Sequence, residues 1–250
     1  MKLLFLIPLF LFCTPLIAQD FSQLVHEAER LENIPDEKAA FSKFKEALRV
    51  QPANVYALAK CSELCSRIGN READTKSRDN YYAAAVIYAK TALRVSPTND
   101  EANVAMAIAV GRTVLLKSGK EKISAVKDIK HYADMALKTN AQNFKAWHII
   151  GKWNYEVSNL TMVEKAATRV LYGGLPDASL AGAVAAYEKA KSLNPQFMLN
   201  YLELAKAYKR KGETAKAVAQ LRVMVTLPLK TEDDPRIKKE GLQLIREWKG

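Results

Sequence analysis

Cysteine is almost missing from this sequence: three residues in 250. Cys13 falls inside an N-terminal apolar run, which leaves Cys61 and Cys65, four apart in a stretch with helical periodicity. Side chains stacked in parallel on one helix face make poor disulfide geometry, and no further cysteine or closely spaced histidine completes a metal-ligand set. Both are expected as buried, reduced thiols. Histidine is as scarce: His26, His131 and His148 lie far apart and imply no acid–base pair. No G-x-S-x-G motif frames a serine, and there is no glycine-rich phosphate loop. These absences argue against nucleophilic, metal and nucleotide chemistry; the expectation is a non-enzymatic chain with no metal site and no cofactor.

Long apolar runs are missing too, except at the start. Residues 3–18 are apolar behind Lys2, and Ala18 followed by Gln19 and Asp20 offers a cleavage point. At 16 residues this run is shorter than the ~20 needed to span a bilayer. Residues 1–18 therefore read as a signal peptide for a periplasmic or secreted protein, with membrane anchorage through residues 3–18 as the alternative. Phe12 stands before Cys13 where a lipoprotein would carry a small residue. Residues 19–250 are expected to form one domain.

What the sequence has is basic charge and helical pattern. The formal net charge of +11 favours anionic partners, such as a membrane surface or acidic protein segments, or else coats helix surfaces for solubility. Lysines usually neighbour alanines and lack the aromatic interleaving of a single-strand platform, so no nucleic acid is expected. From Phe21 onward apolar residues recur at three and four spacing, with few alternating runs.

The helices repeat. Ala47-Leu48-Arg49-Val50-Gln51-Pro52 returns as Ala92-Leu93-Arg94-Val95-Ser96-Pro97, loosely as Ala136-Leu137-Lys138-Thr139-Asn140-Ala141, and as Ala190-Lys191-Ser192-Leu193-Asn194-Pro195. Each phrase should end a helix, because Pro or Asn there stops continuation. Pro195 to Pro228 is 33 residues, close to the ~34-residue tetratricopeptide period, whereas Pro52 to Pro97 is 45 and Ala141 to Pro195 is 54. The longer units should carry insertions, located at 70–79, 118–123 and 159–179. Residues 198–228 show the repeat best, with Tyr201, Leu204, Ala205, Tyr208, Ala217, Leu221 and Met224 at consensus spacing and Gly212 at the turn. Gly69 is placed at a comparable turn. The predicted fold is all-α: a right-handed superhelical array of antiparallel helix pairs, a tetratricopeptide-like solenoid with inter-helix insertions. Residues 236–249, with Ile237, Leu242, Ile245 and Trp248, should form a closing helix.

The segment 144–177 is more specific than a generic repeat. Ala146-Trp147-His148-Ile149-Ile150-Gly151-Lys152-Trp153-Asn154-Tyr155-Glu156-Val157-Ser158, then Glu164-Lys165, Leu171-Tyr172-Gly173 and Pro176, resembles the signature of the regulator of microtubule dynamics proteins. That resemblance implies a tetratricopeptide-like superhelix used for protein association and, in membrane-anchored members, for phospholipid binding and transfer. Microtubule association would carry over only if the chain is not exported.

Helical geometry nominates a binding face. Trp147, Ile150, Gly151 and Asn154 share one stripe, expected to point inward to the core, while His148, Lys152, Tyr155 and Glu156 lie roughly 80–180° round from Trp147. In a stacked array the first helix of each pair lines the concave side, which makes those four candidates for a groove wall. The same register adds Ala59 and Glu63, then Val104, Ile108 and Arg112, then Leu202, Lys206, Lys209 and Arg210. Such a groove, apolar in its middle and basic at one end, suits a protein or peptide segment with acidic residues, or alternatively an anionic phospholipid. Val104 and Ile108 could equally pack against a neighbouring helix. The insertion 161–171 is amphipathic, with Met162, Ala166, Val170 and Leu171 against Glu164, Lys165 and Arg169; it either fills a space in the solenoid, lids the groove or touches a membrane. Asn159-Leu160-Thr161 fits a glycosylation acceptor.

Overall fold

The computed structural model describes residues 14–249, so most of the expected leader at 1–18 lies outside the described residues. Every regular element among them is helical: α1 (Thr14–Asn33), α2 (Glu37–Val50), α3 (Val55–Arg71), α4 (Thr75–Val95), α5 (Asp100–Thr113), α6 (Gly119–Thr139), α7 (Phe144–Ser158), α8 (Met162–Tyr172), α9 (Leu180–Leu193), α10 (Met198–Arg210), α11 (Thr214–Met224) and α12 (Asp234–Lys249). The pairs α1/α2, α3/α4, α5/α6, α7/α9 and α10/α11 pack as antiparallel hairpins, and α12 covers the last of them. This is the predicted solenoid.

The repeated phrase does more than end a helix. Asn54, Asn99 and Asn143, each a few residues past it, cap α3, α5 and α7 by accepting a hydrogen bond from the third helical N–H. A six-to-eight-residue module thus stops one unit and starts the next. In the fourth copy Phe197 takes the cap position with no side-chain bond, and Tyr201 Oη donates to the Pro195 carbonyl instead.

Alanines fill the seams. Ala40, Ala47, Ala85, Ala89, Ala133 and Ala190 are fully buried, which lets paired helices approach closely. Glycine brings them closer still at two crossings. A Cβ on Gly151 would lie 2.6 Å from Cδ1 of the fully buried Tyr187 of α9, and one on Gly69 would lie 2.9 Å from Tyr81 Cβ of α4. Gly69 is therefore not the turn glycine expected from the sequence: it lies inside α3 and is small because α4 crosses there. Gly212, with φ of 84°, does occupy the turn.

Of the three expected insertions only one is inserted structure. The α3/α4 unit is long because its helices are long, 17 and 21 residues, joined by three residues. Around 118–123, α6 itself begins at Gly119, preceded by a short 3-10 turn (Val114–Leu116). Residues 159–179 do hold an extra element, α8, opened by a capping box between Thr161 and Glu164 and closed by Gly173 at φ 71°.

In α12 the inward residues are Ile237, Gly241 and Ile245, while Leu242 is exposed and Leu244 packs in its place. Cys61 and Cys65 are buried and unbridged, as expected. Burial pushes both thiols up, Cys65 to about 12.

Candidate functional site

The first helices of successive units, α3, α5, α7, α10 and α12, neighbour one another along the inner side of the array, with α1 ahead of them. Ion pairs lace this layer from end to end. Glu32 of α1 meets Lys60 (2.8 Å) and Arg67 of α3. Lys145 of α7 reaches both Glu63 of α3 (2.8 Å) and Glu101 of α5 (2.9 Å). Lys152 of α7 meets Glu203 of α10 (2.8 Å), and Lys206 of α10 meets Glu240 of α12 (2.8 Å).

These pairs set the local electrostatics. Burial of Glu63 and Glu203 opposes their charge, yet Lys145 with Lys60 and Arg67, and Lys152 with Lys206, together outweigh it and hold both carboxyls below their ordinary value. Lys145 is raised because Glu63 and Glu101 overcome its own desolvation. The wall is thus charged and internally matched.

That matching changes the candidate set. Lys152 and Glu156 remain exposed on the wall, 2.9 Å apart and one turn from each other. Tyr155 is half-buried beneath Arg210, whose guanidinium lies 4.8 Å from the ring centroid. Arg210 also donates to the Tyr155 carbonyl (2.7 Å) and to Ser158 Oγ (3.0 Å), so it ties α10 to α7. Lys209 donates to Thr214 Oγ1 (3.2 Å) and sits 5.5 Å from the Trp248 ring. The basic end of the groove is consequently neutralised or covered by the chain itself.

The apolar middle is not open. Val104 is fully buried and Leu202 nearly so, and Ile108 packs with Ala133, Ala136 and Ile149. They belong to the seams, since a first helix sandwiched between two neighbours buries more of its surface than a single stripe. The same geometry corrects the tryptophans: Trp147 is half-buried and donates Nε1 to the Ala141 carbonyl, whereas Trp153 is the inward one, 4% exposed, donating to the Val126 carbonyl of α6. His148 lies in the α7/α10 seam, its Nδ1 3.0 Å from Asn200 Oδ1 and its ring 4.9 Å from Phe197. Burial lowers its pKa, with Asn200 and Glu203 offsetting part of the effect, so the ring is neutral at pH 7.

Asn154 accepts from the Ser179 N–H (3.2 Å) and so anchors the exit of the insertion. The insertion helix fills no space in the solenoid. None of its residues is buried, Met162, Val163 and Val170 are about four-fifths exposed, and only its Thr168 and Tyr172 side is half-buried, near α6.

A family model described as "Regulator of microtubule dynamics protein 1-3" matches residues 24–249, nearly all of this architecture. The chain belongs to that family. Among curated family members, the bovine regulator of microtubule dynamics protein 1 is 28% identical over 65% of this chain and 51% of its own length. The Caenorhabditis elegans protein 1 is 27% identical over 64% and 71%, and the rat protein 2 is 24% identical over 90% and 52%. The chain thus spans about half the length of most of these family members. Among solved structures, a thermophilic TPR protein of Thermus thermophilus superposes with a TM-score of 0.64 at 16% identity, covering 89% of this chain and 99% of that one. It shares the fold.

Sequence reasoning placed Glu63 on the wall but missed Arg67 and Arg71, which continue its stripe. Glu63, Arg67 and Arg71 recur every four residues along α3, the spacing of one helix stripe, and that periodicity was the available signal. Glu37 had none: it is a first-turn residue of α2 whose side chain is buried against Arg71, 2.7 Å away, through tertiary contact.

Proposed function

We propose that this chain is a non-enzymatic scaffold or adaptor that holds a protein segment along its inner wall. One observation carries the reading: the first helices form a continuous polar wall whose geometry is fixed by inter-helix ion pairs before any partner arrives, with Lys152 and Glu156 exposed at its centre and Tyr155 half-buried beside them. A pre-formed wall avoids the ordering cost of binding. The tetratricopeptide-like fold and the family membership support protein association as the class of activity. The curated family members are named for regulating microtubule dynamics; for this chain we place association with an exported partner first, because residues 1–18 carry the features of a leader.

The test is capture of a partner by the immobilised full chain, followed by the Tyr155→Ala/Glu156→Lys variant. Retained partner should drop at least ~10-fold, equivalent to ~1.4 kcal/mol, in a variant that keeps its helical circular dichroism and a cooperative melt. Undiminished capture by the folded variant removes the inner wall from the proposal.

A further inference from the structure

Three consecutive acids stand where the loop after α11 meets α12: Glu232 and Asp233 end the loop and Asp234 opens the helix. Asp234 is used locally: its Oδ2 accepts from the N–H groups of Lys230 (2.7 Å) and Thr231 (2.9 Å), which folds the loop into a fixed turn. The other two reach the far end of the molecule. Glu232 Oε1 accepts from the Glu37 N–H at the start of α2 (2.8 Å), a contact across 195 residues, and Arg71 of α3 meets Glu232 at 3.1 Å and Asp233 at 3.3 Å. α12 packs on α10 and α11; its link to α2 and α3 is made by these polar contacts.

The receiving side holds three guanidiniums, Arg67, Arg71 and Arg112, against the carboxylates of Glu32 and Glu37. Arg67 is taken by Glu32 and Glu37, and Arg71 shares Glu37. Arg112 of α5 has no ion-pair partner among the described residues: its Nη1 donates to Asn70 Oδ1 (3.0 Å), and its enclosed Nε has no acceptor. Burial lowers the Arg112 pKa; the fields of Tyr82 and then Asp233 oppose that in part, and Arg236 adds to it. Without the loop, Arg71 would be half satisfied and the first N–H of α2 open. Convergent guanidinium and helix-start donors select carboxylates.

We propose that Arg71 and the Glu37 N–H form a receptor for adjacent carboxylates, that Glu232 and Asp233 occupy it in cis as a strap, and that an acidic partner segment engages the inner wall by displacing them. This rests on the segment-binding reading and adds a place and a chemistry to it. The strap is suited to exchange: Arg71 and Glu232 keep 22% and 33% of their side-chain surface exposed, so salt and a competing carboxylate both reach the pair.

The probe is a fluorescein-labelled peptide of residues 229–237, titrated at ~50 mM salt into the full-length protein and its Glu232→Gln/Asp233→Asn variant. The variant should bind at least ~10-fold more tightly than wild type, lose that binding at ~0.5 M salt, and lose most of it when Arg71→Gln is added. Equal binding by wild type and variant, or none by the variant, overturns the receptor. Amide exchange guards against a folding artefact: α2 and α3 should stay protected while 228–236 exchange faster in the variant, and unchanged exchange there also overturns the strap. A variant that ignores the peptide yet still captures partner through Tyr155 and Glu156 sinks only the receptor; peptide binding with no wall-dependent capture sinks only the wall.

Discussion

Glu32 shows how a single carboxyl of the wall is tuned. Burial pushes its pKa up, but Lys60 and Arg67 outweigh that and bring it from 4.5 down to about 2. Between those values the folded protein binds fewer protons than the unfolded chain, so the stabilisation is complete above pH 4.5 and is lost as the pH falls toward 2. Its size is about 3 kcal/mol at most. Glu32→Gln is expected to lower the melting temperature at pH 7 and to flatten the acid limb of the stability curve. Equal destabilisation at pH 7 and pH 2 would contradict it. His148 acts in the same direction over a higher range: its pKa is lowered from 6.5, so the folded state resists its protonation and stability declines as pH drops below that value.

At the scale of the element, the glycine crossing is the sharpest constraint. Gly151→Ala places a methyl group 2.6–2.9 Å from the Tyr187 ring, which is fully buried and cannot swing away. A loss of about 1–3 kcal/mol is expected, read as an earlier denaturant midpoint with an unchanged slope. Helix identity, helix order and unit ends were legible in the sequence because they depend on local features: apolar spacing, stop phrases and glycine turns. Residue roles on α7 were less legible. Gly151 was correctly assigned to the packed stripe, but Trp153 rather than Trp147 points inward, because an internal helix faces its hairpin partner on one side and the preceding unit on another. Lys206, Lys209 and Arg210 read as a free basic patch in one dimension; their partners Glu203, Glu240, Trp248 and Tyr155 come largely from neighbouring helices that only the fold brings near. Unit length was ambiguous for a similar reason, since extra residues can lengthen two helices, as in α3/α4, or build a third, as in α8.

For the whole molecule, the described residues hold one helical array and no helix long and apolar enough to cross a membrane. The family model begins at residue 24, beyond the apolar stretch. N-terminal sequencing of the protein purified from its natural source is expected to begin at Gln19, consistent with export; an intact Met1 would bring microtubule association, the property in the family's name, to the front.

The contact between Glu37 and Glu232 also bears on how the array comes apart. In a linear stack each terminal unit has a single neighbour, so opening frays inward from the ends with nearest-neighbour energetics. Fastening the last loop to the first unit gives both ends a second neighbour and turns a one-dimensional chain of couplings into a closed circuit. Fraying at either terminus must then release the other, so the two end units gain and lose protection together instead of independently.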